Sequence, residues 1–232
     1  MLINNLPIEK LKNDYQNNHI TRVENLLTEA SAAEITRHIA TKVPFKSAFM
    51  RNGEVKTLSA EEFQRLPQAE QQSIQTEVNN GAAKGFGFLY GTYRIDEQTD
   101  SKEHPLLATL YQELNSETVL QQIREITGIS TIRAANAQVT RYTPGHFLTR
   151  HNDLNSHEER RIAYVISFCP TWHPDWGGLL QFFEQNGTPM QSYTPQFNTM
   201  MLFDVVHPHS VTYITPFCQQ ARLSITGWFK EK

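Results

Sequence analysis

The sequence has only two cysteines, Cys169 and Cys218, and they do not form a CxxC pair. Zinc knuckles and disulfide frameworks require more cysteines at closer spacings, so the sequence excludes both. The two thiols lie in apolar, strand-like segments. We therefore expect them to be buried and reduced.

Long apolar runs and basic clusters are also missing. No segment approaches the roughly 18 consecutive apolar residues that a membrane span requires. The net charge is −3, and no run of lysines and arginines favours nucleic acid or anionic lipid. The opening MLINNLPIEKLKNDY lacks the charged and apolar regions of a signal peptide. We expect a cytoplasmic protein with no nucleic-acid or membrane partner.

The composition is that of a folded protein. Apolar residues make up 39% and charged residues 19% of the 232 positions, which is sufficient for a packed core and argues against disorder. The length suits one well-buried domain, so we expect residues 1–232 to form a single domain.

The first part of that domain, residues 1–130, has mainly helical patterns. Residues 23–42 carry an interrupted 3.6-residue apolar period, and Ser59-Ala60-Glu61-Glu62 matches a capping box that opens another helix. A third helix is predicted over 105–127, ending at Gly128. Residues 84–95, KGFGFLYGTYRI, favour strands or a hairpin, and this stretch is a candidate groove wall or lid.

Residues 131–232 have the pattern of a β-rich core. Short strand-like runs separated by turn residues are predicted at 131–142, 161–169, 178–184, 199–206, 210–214 and 221–230. Many short strands after leading helices indicate an α+β protein in which helices buttress a sandwich or jelly roll. Within 134–142 one face is polar, with Asn136, Gln138, Thr140 and Tyr142. That face points either to solvent or into a polar cavity.

A histidine and an aspartate, His151 and Asp153, stand two residues apart just after Pro144-Gly145. At a strand end, residues i and i+2 lie on the same side, so imidazole and carboxylate could bind one ion. A third ligand is offered by His207 or His209 in VVHPHSV. Two histidines and one carboxylate leave open positions on the metal, as in non-haem Fe(II) oxygenases.

Arg222 lies in the strand-like segment ARLSITGWF, whose alternation places Ser224, Thr226 and Trp228 on the same face. An arginine facing a β core is costly unless an anion neutralises it. Its planar guanidinium suits a carboxylate, and Ser224 can add a hydroxyl hydrogen bond.

In this order, the segments RYTPGHFLTRHND, RRIAYVISFCPTWHPDWGGLLQFFE, FNTMMLFDVV, HSV and RLSITGWF resemble the prolyl-hydroxylase branch of the Fe(II)/2-oxoglutarate-dependent oxygenases. The likeness covers roughly the last hundred residues and is nearest to the oxygenases that hydroxylate a ribosomal-protein proline. It implies a cupin-like double-stranded β-helix with N-terminal buttressing helices. We expect the catalytic domain only, because 232 residues are too few to include also the second jelly-roll domain of the longer ribosomal oxygenases.

The resemblance also implies roles for individual residues. His151, Asp153 and His209 would bind iron, with His209 favoured over His207 because it stands at the "HxV" position. Arg222 would bind the distal carboxylate of 2-oxoglutarate, Tyr142 would donate its hydroxyl to the same cosubstrate, and Ser224 is a further candidate.

The expected reaction is hydroxylation of a substrate C–H bond. The implied cofactors are Fe(II), 2-oxoglutarate and O2, with ascorbate as a reductant. The implied substrate is a prolyl residue in a protein or peptide, and the products are succinate and CO2. Two alternatives stay open: hydroxylation of a small molecule such as a free amino acid, and a non-catalytic cupin-like binding module.

Overall fold

The computed structural model describes Ile3 and residues 5–155 and 157–231. The α-helices are α1 Ile8–Asn18, α2 Glu29–Lys42, α3 Ala60–Arg65, α4 Gln68–Ala83, α5 Pro105–Leu114 and α6 Glu117–Thr127. The first seven strands are β1 Ile20–Glu24, β2 Lys46–Arg51, β3 Glu54–Ser59, β4 Phe88–Ile95, β5 Ala134–Ala135, β6 Ala137–Tyr142 and β7 Phe147–His151. The remaining strands are β8 Arg160–Ser167, β9 Leu180–Phe183, β10 Pro189–Tyr193, β11 Thr199–Asp204, β12 His209–Val211 and β13 Arg222–Lys230.

One curled antiparallel sheet organises the molecule. Its strand order is β1-β11-β8-β13-β6-β4-β7-β12-β9-β10, and β2, β3 and β5 pair off this path. The order brings β7, β12 and β9 together although they are far apart in the sequence, as jelly-roll topology requires. The predicted double-stranded β-helix with supporting helices is therefore confirmed.

Apolar side chains form two distinct cores, one on each face of the sheet. On the outer face, residues of α1, α2, α5 and α6 pack against alternate positions of β8, β11 and β13, such as Ile166, Leu202 and Ile225. The inner face has a smaller core around Phe182 and Phe203. Because successive strand residues point to opposite faces, the helices support the sheet from outside and leave its interior for a site.

Capping residues fix the helix boundaries. Ser59 and Glu62 form the predicted capping box at the start of α3, with both reciprocal hydrogen bonds present. Gly128 ends α6 in the left-handed conformation, at φ 76°, as predicted. Both signals are local, since each depends on side chains within a single turn.

Two helix predictions for the first half of the chain were wrong in detail. Residues 23–42 are not one helix, because Thr28 caps α2 and the preceding segment pairs as β1 with β11. The helix predicted over 105–127 is interrupted where Ser116 caps α6. The region also contains the strands β1, β2 and β3, which were not predicted. Among the described residues, no helix has the length and apolar character needed to cross a membrane.

Candidate active site

Two neighbouring strands bring the candidate metal ligands together. His151 ends β7 and His209 begins β12, and the antiparallel register places these residues directly opposite each other. Asp153 lies two residues beyond β7, where its backbone N–H donates to the Val205 carbonyl at 2.9 Å. The Asp153 carboxylate oxygens lie 3.5 Å from His151 Nε2 and 3.4 Å from His209 Nε2. The three side chains therefore converge on one point.

Backbone carbonyls orient both imidazole rings. His151 Nδ1 lies 2.9 Å from the Thr149 carbonyl oxygen, and His209 Nδ1 lies 2.9 Å from that of His207. A carbonyl only accepts hydrogen bonds, so each Nδ1 carries the proton. In a neutral ring this leaves the Nε2 lone pair facing Asp153, as a metal ligand requires.

The protonation states of the cluster also suit a cation. Burial lowers the pKa of His209 to about 4, so its imidazole is neutral at pH 7. Burial acts to raise the pKa of Asp153, but His151 and His209 outweigh it and the pKa lies below its usual value. The site thus offers the imidazole nitrogens of two histidines and one negative carboxylate, which is the facial set preferred by non-haem Fe(II).

His207 does not join this cluster. The ligand atoms that lie within 4.8 Å of one another belong to His151, Asp153 and His209. His207 occupies the turn between β11 and β12 rather than a strand, so the two-residue period of a strand does not apply to it. Only its backbone carbonyl serves the site, by accepting from His209 Nδ1.

A buried arginine lies deeper in the barrel. Arg222 is 1% exposed, and it stands opposite Tyr142 in the pairing of β13 with β6. Its Nη1 donates to Ser224 Oγ at 3.2 Å, whereas its Nε is buried without a hydrogen-bond partner among the described residues. Burial lowers the pKa of Arg222. Burying a guanidinium without a paired anion costs desolvation free energy, and an anionic ligand in the cavity would offset that cost.

Tyr142 and Ser224 occupy different positions around that arginine. Tyr142 is buried, lines the cavity, and has its ring centroid 5.4 Å from the Arg222 guanidinium carbon. Burial raises its pKa, so the phenol keeps its proton and can donate it in a hydrogen bond. Ser224 is fully buried and accepts from Arg222. In this geometry Ser224 orients the guanidinium.

Gly178 lets the chain pass close to Arg222. Its φ is +65°, and a Cβ there would lie 2.4 Å from Ile214 Cδ1 and 3.1 Å from Arg222 Cδ. A side chain at this position would therefore strain the backbone and displace the arginine.

Aromatic side chains from residues 84–95, the predicted groove wall or lid, line one wall of the cavity. Phe86, Phe88 and Tyr90 follow one another at ring distances of 5.8 and 5.5 Å, and Tyr90 stacks on Tyr142 at 5.2 Å. Phe86 also lies 6.1 Å from His151. The alternation of aromatics in residues 84–95 was the available signal. Within this stretch, residues 88–95 form β4, which pairs with β2, β6 and β7, so they build a wall rather than a lid.

The cavity enclosed by these residues has a volume of about 300 Å³. The predicted polar face of β6 points into it, with Gln138, Thr140 and Tyr142 on its lining. Trp228 also lines it, with Arg160 stacked 3.5 Å from its ring centroid. Of the described residues on this lining, Asp153 is the only acidic one. The cavity therefore combines one cation-binding cluster with an unneutralised arginine.

These features fit Fe(II) and 2-oxoglutarate. The donor set suits Fe(II), and the orphaned Nε of buried Arg222 suits the far carboxylate of a dicarboxylate ligand. His151, Asp153 and His209 would hold the metal, and Arg222 with Tyr142 would hold the cosubstrate.

Comparisons with known proteins agree with this geometry. Residues 137–230 match the 2OG-Fe(II) oxygenase superfamily model. Mouse (Mus musculus) prolyl 3-hydroxylase OGFOD1 is 28% identical over 148 residues, covering 61% of this chain and 26% of the relative. The Xenopus laevis protein of the same name is 28% identical over 116 residues, covering 47% of this chain and 22% of the relative. The chain thus spans about a quarter of the length of these curated relatives.

Solved structures share the fold at low sequence identity. A Pseudomonas putida prolyl-4-hydroxylase aligns over 97% of this chain and 99% of its own, with a TM-score of 0.62 and 18% identity. A Trichoplax adhaerens prolyl hydroxylase in complex with a hypoxia-inducible-factor peptide fragment aligns over 97% and 89%, with a TM-score of 0.65 and 16% identity. Residues 137–230 of the chain are thus similar to the 2OG-Fe(II) oxygenase superfamily, and the chain shares its fold with these solved prolyl hydroxylases.

Proposed function

We propose that this protein is an Fe(II)- and 2-oxoglutarate-dependent dioxygenase that hydroxylates a prolyl residue in a polypeptide and releases succinate and CO2. The observation that carries the proposal is the pairing of the His151, Asp153 and His209 cluster with buried, unpaired Arg222 in one cavity. Bound Fe(II) supplies the coupling of dioxygen reduction to the oxidative decarboxylation of 2-oxoglutarate and to C–H hydroxylation.

The residues of this chain bind and orient the reactants. His151 and His209 present fixed Nε2 lone pairs, and Asp153 adds the negative charge that offsets the cation. Arg222 and the protonated Tyr142 hydroxyl fix the far end of the cosubstrate. The aromatic wall excludes water from the reacting groups, which strengthens the charge interactions inside.

The surroundings of the cavity favour a polypeptide over a free amino acid. Val55 and Phe86 line the cavity yet remain 62% and 43% exposed, so its rim is apolar. The cavity also continues into a groove of about 920 Å³ beside the β2–β3 hairpin, with Val55, Tyr90 and Gln138 on both linings. A groove leading away from the site accommodates residues flanking a target side chain, which a free amino acid lacks. The prolyl target itself is suggested by the prolyl hydroxylases among the relatives.

Two accessory features belong to the same proposal. Cys169 and Cys218 are free thiols in the structure, which suits a reducing compartment such as the cytoplasm. Ascorbate is the proposed reductant that keeps the iron in its Fe(II) state.

Oxygen-isotope labelling tests the proposal. Purified protein with Fe(II), 2-oxoglutarate and ascorbate is incubated under ¹⁸O2 with a protein extract or with free L-proline, and Asp153→Ala serves as the control. We expect succinate formation and an ¹⁸O-labelled prolyl residue when the substrate is the protein extract, and neither when it is free L-proline. Turnover with free proline alone would favour a small-molecule hydroxylase. A protein that neither binds metal nor consumes 2-oxoglutarate would be a non-catalytic binding module.

A further inference from the structure

Trp228 has a buried indole N–H group to which the proposed function assigns no role. Its Nε1 has no partner at hydrogen-bonding geometry among the described residues, and it lines the same cavity as Asp153. A buried donor without an acceptor costs about 1–3 kcal/mol, so such a group normally has a partner in the working state. The Asp153 carboxylate is the only acidic group on that lining among the described residues, and its side chain interacts with that of Trp228. The carboxylate is therefore the acceptor that this N–H faces.

The backbone of Trp228 is held by an unusual strand contact. In the pairing of β13 with β5 and β6, the register places Asn136 opposite Trp228. The Trp228 backbone N–H donates to the Asn136 side-chain Oδ1 at 2.8 Å, while the Asn136 N–H donates to the Trp228 carbonyl at 3.2 Å. A regular antiparallel pair would use the Asn136 carbonyl for the first of these bonds. Here a side chain replaces it.

The displaced Asn136 carbonyl is held by a third strand. Tyr164 of β8 donates its hydroxyl to this carbonyl at 2.7 Å. Tyr164 is paired with Gly227, and a Cβ at Gly227 would lie 2.0 Å from the Asn136 carbonyl oxygen and 2.7 Å from the Tyr164 hydroxyl. The hydroxyl therefore reaches Asn136 only because residue 227 has no side chain. We call Asn136, Tyr164 and Gly227 the strand latch.

The strand latch and the indole act on opposite sides of one strand. The latch lies where β13 faces the helices, and Tyr164 belongs to the outer core. Trp228 points into the cavity, where the Arg160 guanidinium carbon lies 3.5 Å from its ring centroid and Arg160 is itself fixed by Glu158 at 2.7 Å. Backbone and ring are thus both constrained, which fixes the direction of the N–H.

We propose that Trp228 is a positioning residue for the metal-binding carboxylate: its indole N–H orients the Asp153 side chain for the ion, and the strand latch holds the segment that carries it. The inference rests on the proposed function, because it presumes that Asp153 binds a metal. Partners that orient metal ligands typically contribute about 10–100-fold in metal affinity.

Binding of Mn(II) in the presence of 2-oxoglutarate, without substrate, tests the inference. Affinity is measured by electron paramagnetic resonance for the wild type and for Trp228→Phe, which keeps an aromatic ring beside Arg160 but removes the N–H. We expect Trp228→Phe to bind Mn(II) about 10–100-fold more weakly and to change the resonance line shape of the bound ion. Tyr15→Phe is the matched control, because it removes another buried donor, the Tyr15 hydroxyl, which has no hydrogen-bond partner within residues 5–155 and 157–231 or at Ile3.

A double-mutant cycle tests the strand latch. Tyr164→Phe should weaken Mn(II) binding, and Trp228→Phe/Tyr164→Phe should bind no more weakly than Trp228→Phe, because both changes act through the same N–H. Additive losses would overturn the role of the latch. Wild-type Mn(II) affinity in Trp228→Phe would overturn the role of Trp228 and leave the proposed function intact. Absence of Mn(II) binding by the wild type would contradict both.

Discussion

Replacing Arg222 with methionine should stabilise the protein while removing cosubstrate binding. Arg222 is buried and its Nε has no partner in the part of the chain that the structure describes, so without a bound anion its desolvation is not compensated. Exchanging buried charges for apolar side chains of similar volume is neutral or stabilising by about 1–4 kcal/mol. For a protein of this size, each kcal/mol raises Tm by about 2–4 °C. Metal-free Arg222→Met should therefore unfold at a higher temperature than the wild type.

With 2-oxoglutarate the stability advantage of Arg222→Met over the wild type should shrink or reverse. A ligand present at about 100 times its Kd stabilises the folded state by about 2.7 kcal/mol. The wild type should gain this increment in the presence of Mn(II), whereas Arg222→Met should gain none. Losing one partner of a buried charge pair costs about 3–5 kcal/mol, which corresponds to a loss of affinity of about 100- to 4,000-fold.

Differential scanning calorimetry with and without 2-oxoglutarate measures both effects. Arg141→Met is the matched control, because Arg141 also has a buried, unpartnered Nε, but it lies 4.4 Å over the Phe45 ring and outside the cavity lining. Arg141→Met should keep the 2-oxoglutarate increment. An Arg222→Met protein that is less stable without ligand and is still stabilised by 2-oxoglutarate would refute the reasoning.

Three further predictions concern the metal ligands and the packing around them. In an equilibrium titration, Asp153→Ala should abolish Mn(II) binding. His207→Ala should retain it, because only the backbone carbonyl of His207 contacts the site. Equal losses of Mn(II) affinity in the two variants would contradict the assignment of the ligands. Gly178→Ala should lower the free energy of unfolding, measured in urea, by about 1–3 kcal/mol and should weaken 2-oxoglutarate binding. Gly53→Ala is its control: φ at Gly53 is +78° and a Cβ there would have nothing within 4 Å, so this change should show the cost of backbone strain alone. The His209 pKa is about 4 in the folded protein and 6.5 in the reference state, so the unfolded chain binds more protons between these values. The metal-free protein should therefore lose up to about 3 kcal/mol as pH falls through that window, and His209→Gln should flatten the dependence.

The sequence predicted the catalytic half of the fold better than the supporting half. The alternation around Gln138 and Arg222 identified inward faces, because period-two burial is a local property of strands. β1 was missed because its pairing partner, β11, lies about 180 residues further along the chain. Local periodicity contains no information on that contact, and the neighbouring helix pattern obscured the strand.

The candidate site shows the same limit. The spacing of His151, Asp153 and His209 was visible in the sequence, and the structure brings these three side chains together. The sequence alone offered no physical reason to prefer His209 over His207 as the third ligand. The reason is that His207 lies in a turn, which only the structure shows. The strand latch could not be predicted, because it depends on a side-chain oxygen taking the place of a backbone oxygen across three strands.

We propose that His151, Asp153 and His209 bind Fe(II) beside a cosubstrate held by Arg222. Anaerobic addition of 2-oxoglutarate to the Fe(II) protein measures this directly, because chelation of Fe(II) by an α-keto acid produces a metal-to-ligand charge-transfer absorption. We predict a saturable visible band at one equivalent of iron in the wild type, none in Asp153→Ala, and a much higher 2-oxoglutarate requirement in Arg222→Met. An identical band and requirement in all three proteins would contradict the account.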